Sequence, residues 1–100
     1  MNQQLIEQAI RGKSVLEFTY SNHRRVVEPH VLGIKEGVIQ VLGYQIGGSS
    51  SSGGPLPEWR RFDLAKMSGV AITTTAFAGR RPFPSGLHSS WDRQILVVDA

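Results

Sequence analysis

The sequence predicts a mainly β protein: a small, strongly bent antiparallel barrel of five short strands behind one N-terminal α-helix. Three observations carry this expectation. The apolar spacing changes from helical to alternating at Ser14 and stays alternating, turn-forming residues punctuate the alternating stretches at close intervals, and 100 residues suffice for one core but not two.

Taken in order, residues 2–11 place Leu5, Ile6, Ala9 and Ile10 on one stripe of a helix, with Gly12 to end it. From Ser14, Leu16, Phe18 and Tyr20 alternate with Val15, Glu17 and Thr19, and Ser21-Asn22-His23-Arg24 supplies the turn of a hairpin. The return strand, Arg25 to about Leu32, contains Pro29. Proline has no N–H for the ladder, so Pro29 marks a bulge or an edge. Lys35-Glu36-Gly37 turns the chain into VIQVLGY, a third strand apolar on both sides. Residues 47–57 open with eight glycines and serines and end in Pro55-Leu56-Pro57, a flexible hairpin loop. The lysine and following helix of a phosphate loop are missing there. A fourth strand runs from Trp59 to Leu64 and a fifth from about Met67 to Thr74, so the barrel spans about 14–75. Residues 79–100 form an extension, irregular at first, whose final QILVVDA is an extra strand for an open edge of this barrel or of a second subunit.

Composition narrows the function. Without cysteine there is no disulfide, thiolate metal site or cysteine nucleophile, and a reducing, cytoplasmic setting is favoured. The N-terminus carries neither a charged leader nor a long apolar run, so no membrane association is expected. His23, His30 and His88 lack the spacing of a zinc site, Glu28 and His30 alone on one strand give two ligands at most, and His30 suits a surface or rim position. No G-x-S-x-G elbow is present. No metal, cofactor or catalysis is therefore expected.

Binding is the better expectation. The net charge is +3, eight of eleven cations are arginine, and six of those stand in Arg-Arg pairs at 24/25, 60/61 and 80/81. A guanidinium forms forked bonds to phosphate and stacks on rings, so the expected partner is an anion. Arg25, Arg60 and Lys66, with Tyr44, Trp59 and Phe62 near them in sequence, have the makings of a basic groove in which cations hold phosphates and rings take bases. Trp59 and Phe62 also suit plain core positions. In EWRRFDLAKM, alternation puts Arg60 on the face of Phe62 and Leu64 and Arg61 on the other with Asp63 and Ala65, where Arg61 is expected to be a solvated charge near Asp63.

The order G-x-x-V-x-F-x-Y from Gly12 to Tyr20, R-V-V-E-P from Arg25 to Pro29, the strand Val38 to Tyr44, R-x-F-x-L-x-K-M-x-x-V from Arg60 to Val70, and Phe77 resembles the WYL domain. The resemblance assigns residues 1–78 to that domain and implies an Sm-like, SH3-type barrel. It also implies a bacterial regulatory module, of the kind found in transcription regulators and phage-defence proteins, which binds a ligand such as single-stranded nucleic acid or a nucleotide. Arg25 and Arg60 match the arginines of the family's motifs, which implies that Arg60 is partly buried and anchored to a ligand or to an acid such as Glu28, and Lys66 stands where a second arginine is usual. Ile39-Gln40-Val41 replaces the tripeptide that names the family, so Gln40 would hydrogen-bond where a tyrosine would stack. The ligand-contacting residues are thus expected to be Arg25, Arg60, Lys66, Gln40 and Tyr44. No helix-turn-helix precedes the helix in this sequence, so control of transcription would need a DNA-binding regulator protein as partner. The alternative is a protein-interaction module that forms a homodimer or docks by strand addition.

Overall fold

The computed structural model describes residues 2–49, 54–82 and 91–99; part of the Gly/Ser loop and part of the extension lie outside them. Helix α1 (Asn2–Gly12) leads into β1 (Ser14–Tyr20), β2 (His23–Lys35), β3 (Val38–Gly48), β4 (Glu58–Asp63), a 3-10 turn (Leu64–Lys66), β5 (Ser68–Ala76) and β6 (Arg93–Val97). All pairings are antiparallel and the strand order is β4-β3-β2-β1-β5, the order of an SH3-type barrel, with β6 added to β2. The fold is therefore the mainly β, single-helix architecture that the alternation predicts.

Two hairpins owe their tightness to left-handed backbone. Ser21 and Asn22 at φ 51 and 64 join β1 to β2, while Glu36 and Gly37 at φ 52 and 79 join β2 to β3. Two successive positive φ values match the right-handed twist of the strands on either side. The helix ends one residue later than Gly12 suggests, with Lys13 at φ 52 and its N–H on Ile10 O at 3.3 Å.

β2 organises the sheet. One of its edges pairs with β3 along nearly its whole length, while the other is divided between β1, opposite His23–Val27, and β6, opposite Val31–Ile34. Pro29 falls in the gap between those two partners, at a register shift in the pairing with β3, where a missing N–H costs no ladder bond. The extension therefore pairs with its own barrel. Trp91 lies against Gly33: a Cβ added there would come within 2.6 Å of both the Trp91 ring and Arg93 O.

The core lies between the concave side of the sheet and α1. Ile6, Ala9 and Ile10 of the helix pack with Leu16, Phe18, Val27, Leu32, Val41 and Phe62, and the Phe18 and Phe62 rings meet edge to face at 4.9 Å. Asn2 Nδ2 donates to Leu64 O and Met67 O, fastening the start of the helix to the 3-10 turn. The convex side is covered too. Val31 and Leu42 point away from that core and are 1% exposed.

Four strands end elsewhere than the sequence predicts: β2 extends through Lys35, β3 runs on to Gly48 at the start of the expected loop, β4 stops at Asp63 with Leu64–Lys66 as a 3-10 turn, and β5 reaches Ala76. In each case tertiary pairing, rather than local apolar alternation, sets the boundary. Among the described residues no helix is long and apolar enough to cross a membrane.

Candidate anion-binding site

Arg25 enters the barrel from β2 and is 4% exposed. Its Nη1 donates to Gln45 Oε1 at 3.3 Å and its Nη2 to Tyr20 O at 3.0 Å, and its Cζ lies 5.5 Å and 5.6 Å from the Tyr20 and Phe62 ring centres. Nε is buried without a hydrogen-bond partner. Among the described residues, every group bonded to this cation is uncharged. Burial holds the Arg25 guanidinium below the usual arginine range, the neighbouring charge of Arg60 adds to this, and Tyr20 opposes both. Arginine nevertheless stays protonated.

Arg60 stands beside it for a reason of register. Phe62 pairs with Val41, Arg60 with Gly43 and Glu58 with Gln45, so these residues share the concave face, where the Val27 side chain fills the space above Gly43. The Arg60 side chain is 18% exposed and its Nη2 meets Glu58 Oε2 at 2.7 Å. Glu28 is not its acidic neighbour, because Glu28 lies on the other face of the sheet. Two guanidiniums and one carboxylate thus occupy a half-buried corner with a net positive charge, bordered by the Tyr20 ring.

Gln45 ties that corner to the chain beyond β3. Fully buried, it accepts from Arg25 through Oε1 and donates through Nε2 to Gly47 O at 3.0 Å and Ser49 O at 3.1 Å. Its three bonds fix which end of the amide is oxygen.

The five residues expected to contact ligand divide into three groups. Arg25 and Arg60 come together. Lys66 and Gln40 instead meet at Asp63, Lys66 Nζ at 3.4 Å from Oδ2 and Gln40 Nε2 at 2.7 Å from Oδ1, with the Lys66 side chain 69% exposed. Tyr44 is on the convex face, 5.0 Å from the Trp59 ring and under the guanidinium of Arg81 at 4.6 Å. The 3-10 turn removes Lys66 from the corner, and alternation along β3 removes Gln40 and Tyr44.

Two further expectations are corrected. Arg61 is not solvated: its guanidinium lies 4.2 Å from the Trp91 ring centre, and burial lowers its pKa. His30 is not at a rim but fully buried, stacked on Phe77 at 5.4 Å and edge-on to Trp59 at 4.8 Å. Its Nε2 accepts from the Arg81 N–H at 3.3 Å, so Nδ1 carries the proton and donates to Glu28 O at 2.9 Å. Burial first, then the charges of Arg81 and Arg80, lower its pKa against the opposing pull of Glu28.

Sequence reasoning assigned no role in the site to Tyr20, Gln45 or Glu58. Parity was the available signal, since Tyr20 shares the face of Leu16 and Phe18, and Gln45 that of Val41. Among the described residues no group of three or more histidines and acids could hold a metal ion.

No family model matches the chain and no curated protein resembles it. Among solved structures, proteasome accessory factor B/C (PafBC) of Arthrobacter aurescens is similar at 24% identity and a TM-score of 0.63, over 84% of this chain and 13% of that one. The chain spans about an eighth of PafBC's length and shares the fold of that segment.

Proposed function

We propose that this chain is a WYL-type regulatory module that binds an anionic ligand at the Arg25–Arg60 corner and performs no catalysis. One observation carries the reading: among the described residues, Arg25 is a buried cation bonded only to neutral groups, with a second guanidinium beside it. Burying a charge is costly unless an opposite charge compensates it, and Glu58 serves Arg60 rather than Arg25. A phosphate entering beside Arg60 would supply the missing negative charge and displace the Glu58 carboxylate. The WYL-like order of motifs and the fold shared with a segment of PafBC support the same reading.

Single-stranded nucleic acid or a nucleotide is the ligand class that suits the corner, with the Tyr20 ring, not Tyr44, available for a base. Gln45 gives the bound state a route outward: tightening of Arg25 on a phosphate weakens its bond to Gln45 and, through it, the hold on Gly47 and Ser49. Transmission to a DNA-binding partner is the regulatory step in this reading.

Fluorescence anisotropy with short single-stranded DNA and RNA tests it. Binding should be measurable at low salt and reduced at least tenfold, about 1.4 kcal/mol, by Arg60→Glu. Absence of binding at low salt, or binding unchanged by Arg60→Glu, rejects the reading.

A further inference from the structure

Besides the pairing of β6 with β2, Arg81 ties the extension to the convex face, and each group that receives this residue belongs to the barrel. Its Nε donates to Glu28 Oε1 at 2.6 Å and its Nη2 to Glu28 Oε2 at 3.1 Å, the two parallel bonds of a guanidinium fork. Its Cζ stands 4.6 Å from the Tyr44 ring centre, and its backbone N–H reaches His30 Nε2 at 3.3 Å.

The two partners are unequal in burial. The Glu28 side chain is 6% exposed, whereas that of Arg81 is 46% exposed. Glu28, Tyr44 and Trp59 are register neighbours across β2, β3 and β4, so the barrel builds its half from the sheet itself. Trp59 braces both Tyr44 and His30. The other half is one residue on an irregular segment, held on its far side where Arg80 bonds Val98 O and Asp99 O. A buried carboxylate, a ring face and an imidazole nitrogen that accepts a backbone N–H form a receptor, and the half-exposed Arg81 fills it.

We propose that Glu28, Tyr44 and His30 form a guanidinium-binding site that Arg81 occupies in cis and that accepts an arginine-bearing peptide in its place. The geometry selects arginine over lysine, because only a planar fork meets both carboxylate oxygens while lying on a ring. The His30 contact adds a requirement for a backbone N–H on that arginine. As a tethered occupant, Arg81 competes at a high effective concentration, so the site opens to outside ligands when the extension is displaced. The site lies on the opposite face from Arg25 and Arg60, so either assignment can fail without the other.

Arg81→Ala vacates the fork. N-acetyl-arginine methylamide should then bind saturably, read by tryptophan fluorescence, and raise the thermal midpoint by roughly 7 °C at ten times its Kd. N-acetyl-lysine methylamide should give less than a tenth of that affinity, and Arg81→Ala with Glu28→Gln should abolish the response. A folded Arg81→Ala protein that shows no saturable response overturns the proposal, as does equal binding of both probes or a response indifferent to Glu28→Gln. Should Arg81→Ala not fold, Arg81→Lys keeps the cation but frees the fork. It should bind the arginine probe more tightly than the unmodified chain, and equal binding by the two overturns the proposal.

Discussion

At the residue scale, the two members of each Arg-Arg pair point to different partners, by strand alternation for 24/25 and 60/61 and on an irregular segment for 80/81. Arg25 is buried while Arg24 reaches out to Glu17 and Gly69 O; Arg60 joins the corner while Arg61 stacks on Trp91; Arg81 enters the barrel's receptor while Arg80 holds the extension to itself. Adjacent identical charges therefore perform different work. Phe62 links the corner to the core, touching the Phe18 and Tyr20 rings at 4.9 and 5.0 Å under the Arg25 guanidinium. Phe62→Ala should cost about 3–5 kcal/mol in denaturant unfolding and should weaken ligand binding at the same time. His30 makes a second prediction. It is held neutral in the fold, while in the unfolded chain it takes a proton near its ordinary 6.5, so the unfolded state binds more protons. Stability is full above about 6.5 and falls as pH drops through the lowered native value. Thermal midpoints measured from pH 7.5 down to about 5 should show this slope, and His30→Gln should flatten it.

At the scale of elements, β6 and the segment before it are what make the convex face an interior. Trp91 rests on Gly33 and Arg61, Asp92 N–H bonds Ile34 O, and Val98 N–H bonds His30 O at 2.8 Å. Any side chain at position 33 must displace Trp91 or the backbone of β6. Gly33→Val should cost about 1–3 kcal/mol and red-shift tryptophan emission as Trp91 becomes exposed, both readable in one denaturant titration. The 3-10 turn has the opposite kind of consequence. It carries Lys66 away from the corner to the Asp63 carboxylate, so Lys66→Glu should leave oligonucleotide affinity within about twofold of the unmodified chain.

At the scale of the whole molecule, the corner offers two cations to phosphate where the motifs in sequence offered three. Two neutralised phosphates on a single strand give a log-log salt slope of about −1.4, and three would give about −2. A titration at several salt concentrations separates the two. The same contrast shows how much of this protein is legible before its structure. The helix, the hairpins, the bulge at Pro29 and the facing of Arg60 follow from local periods and turn residues, which act within a few positions of the chain. The position of Lys66 does not, because a 3-10 turn between β4 and β5, which no alternation announces, sets where the chain points after Asp63. Nor do the partial burial of Arg61 and the full burial of His30. Both depend on a cover brought from some thirty or more residues away by an extension whose first part has no period to read.

β2 carries Arg25 near its start, Glu28 and His30 at its middle and Gly33 near its end, with strand partners on both edges over most of its length. Amides paired on both edges of a strand open with the sheet rather than singly. The strand should therefore be the slowest-exchanging part of the chain in hydrogen–deuterium exchange. Because both candidate sites are anchored on it, an occupant of either one should slow exchange at the other by stabilising the same cooperative unit, with no displacement of either site required.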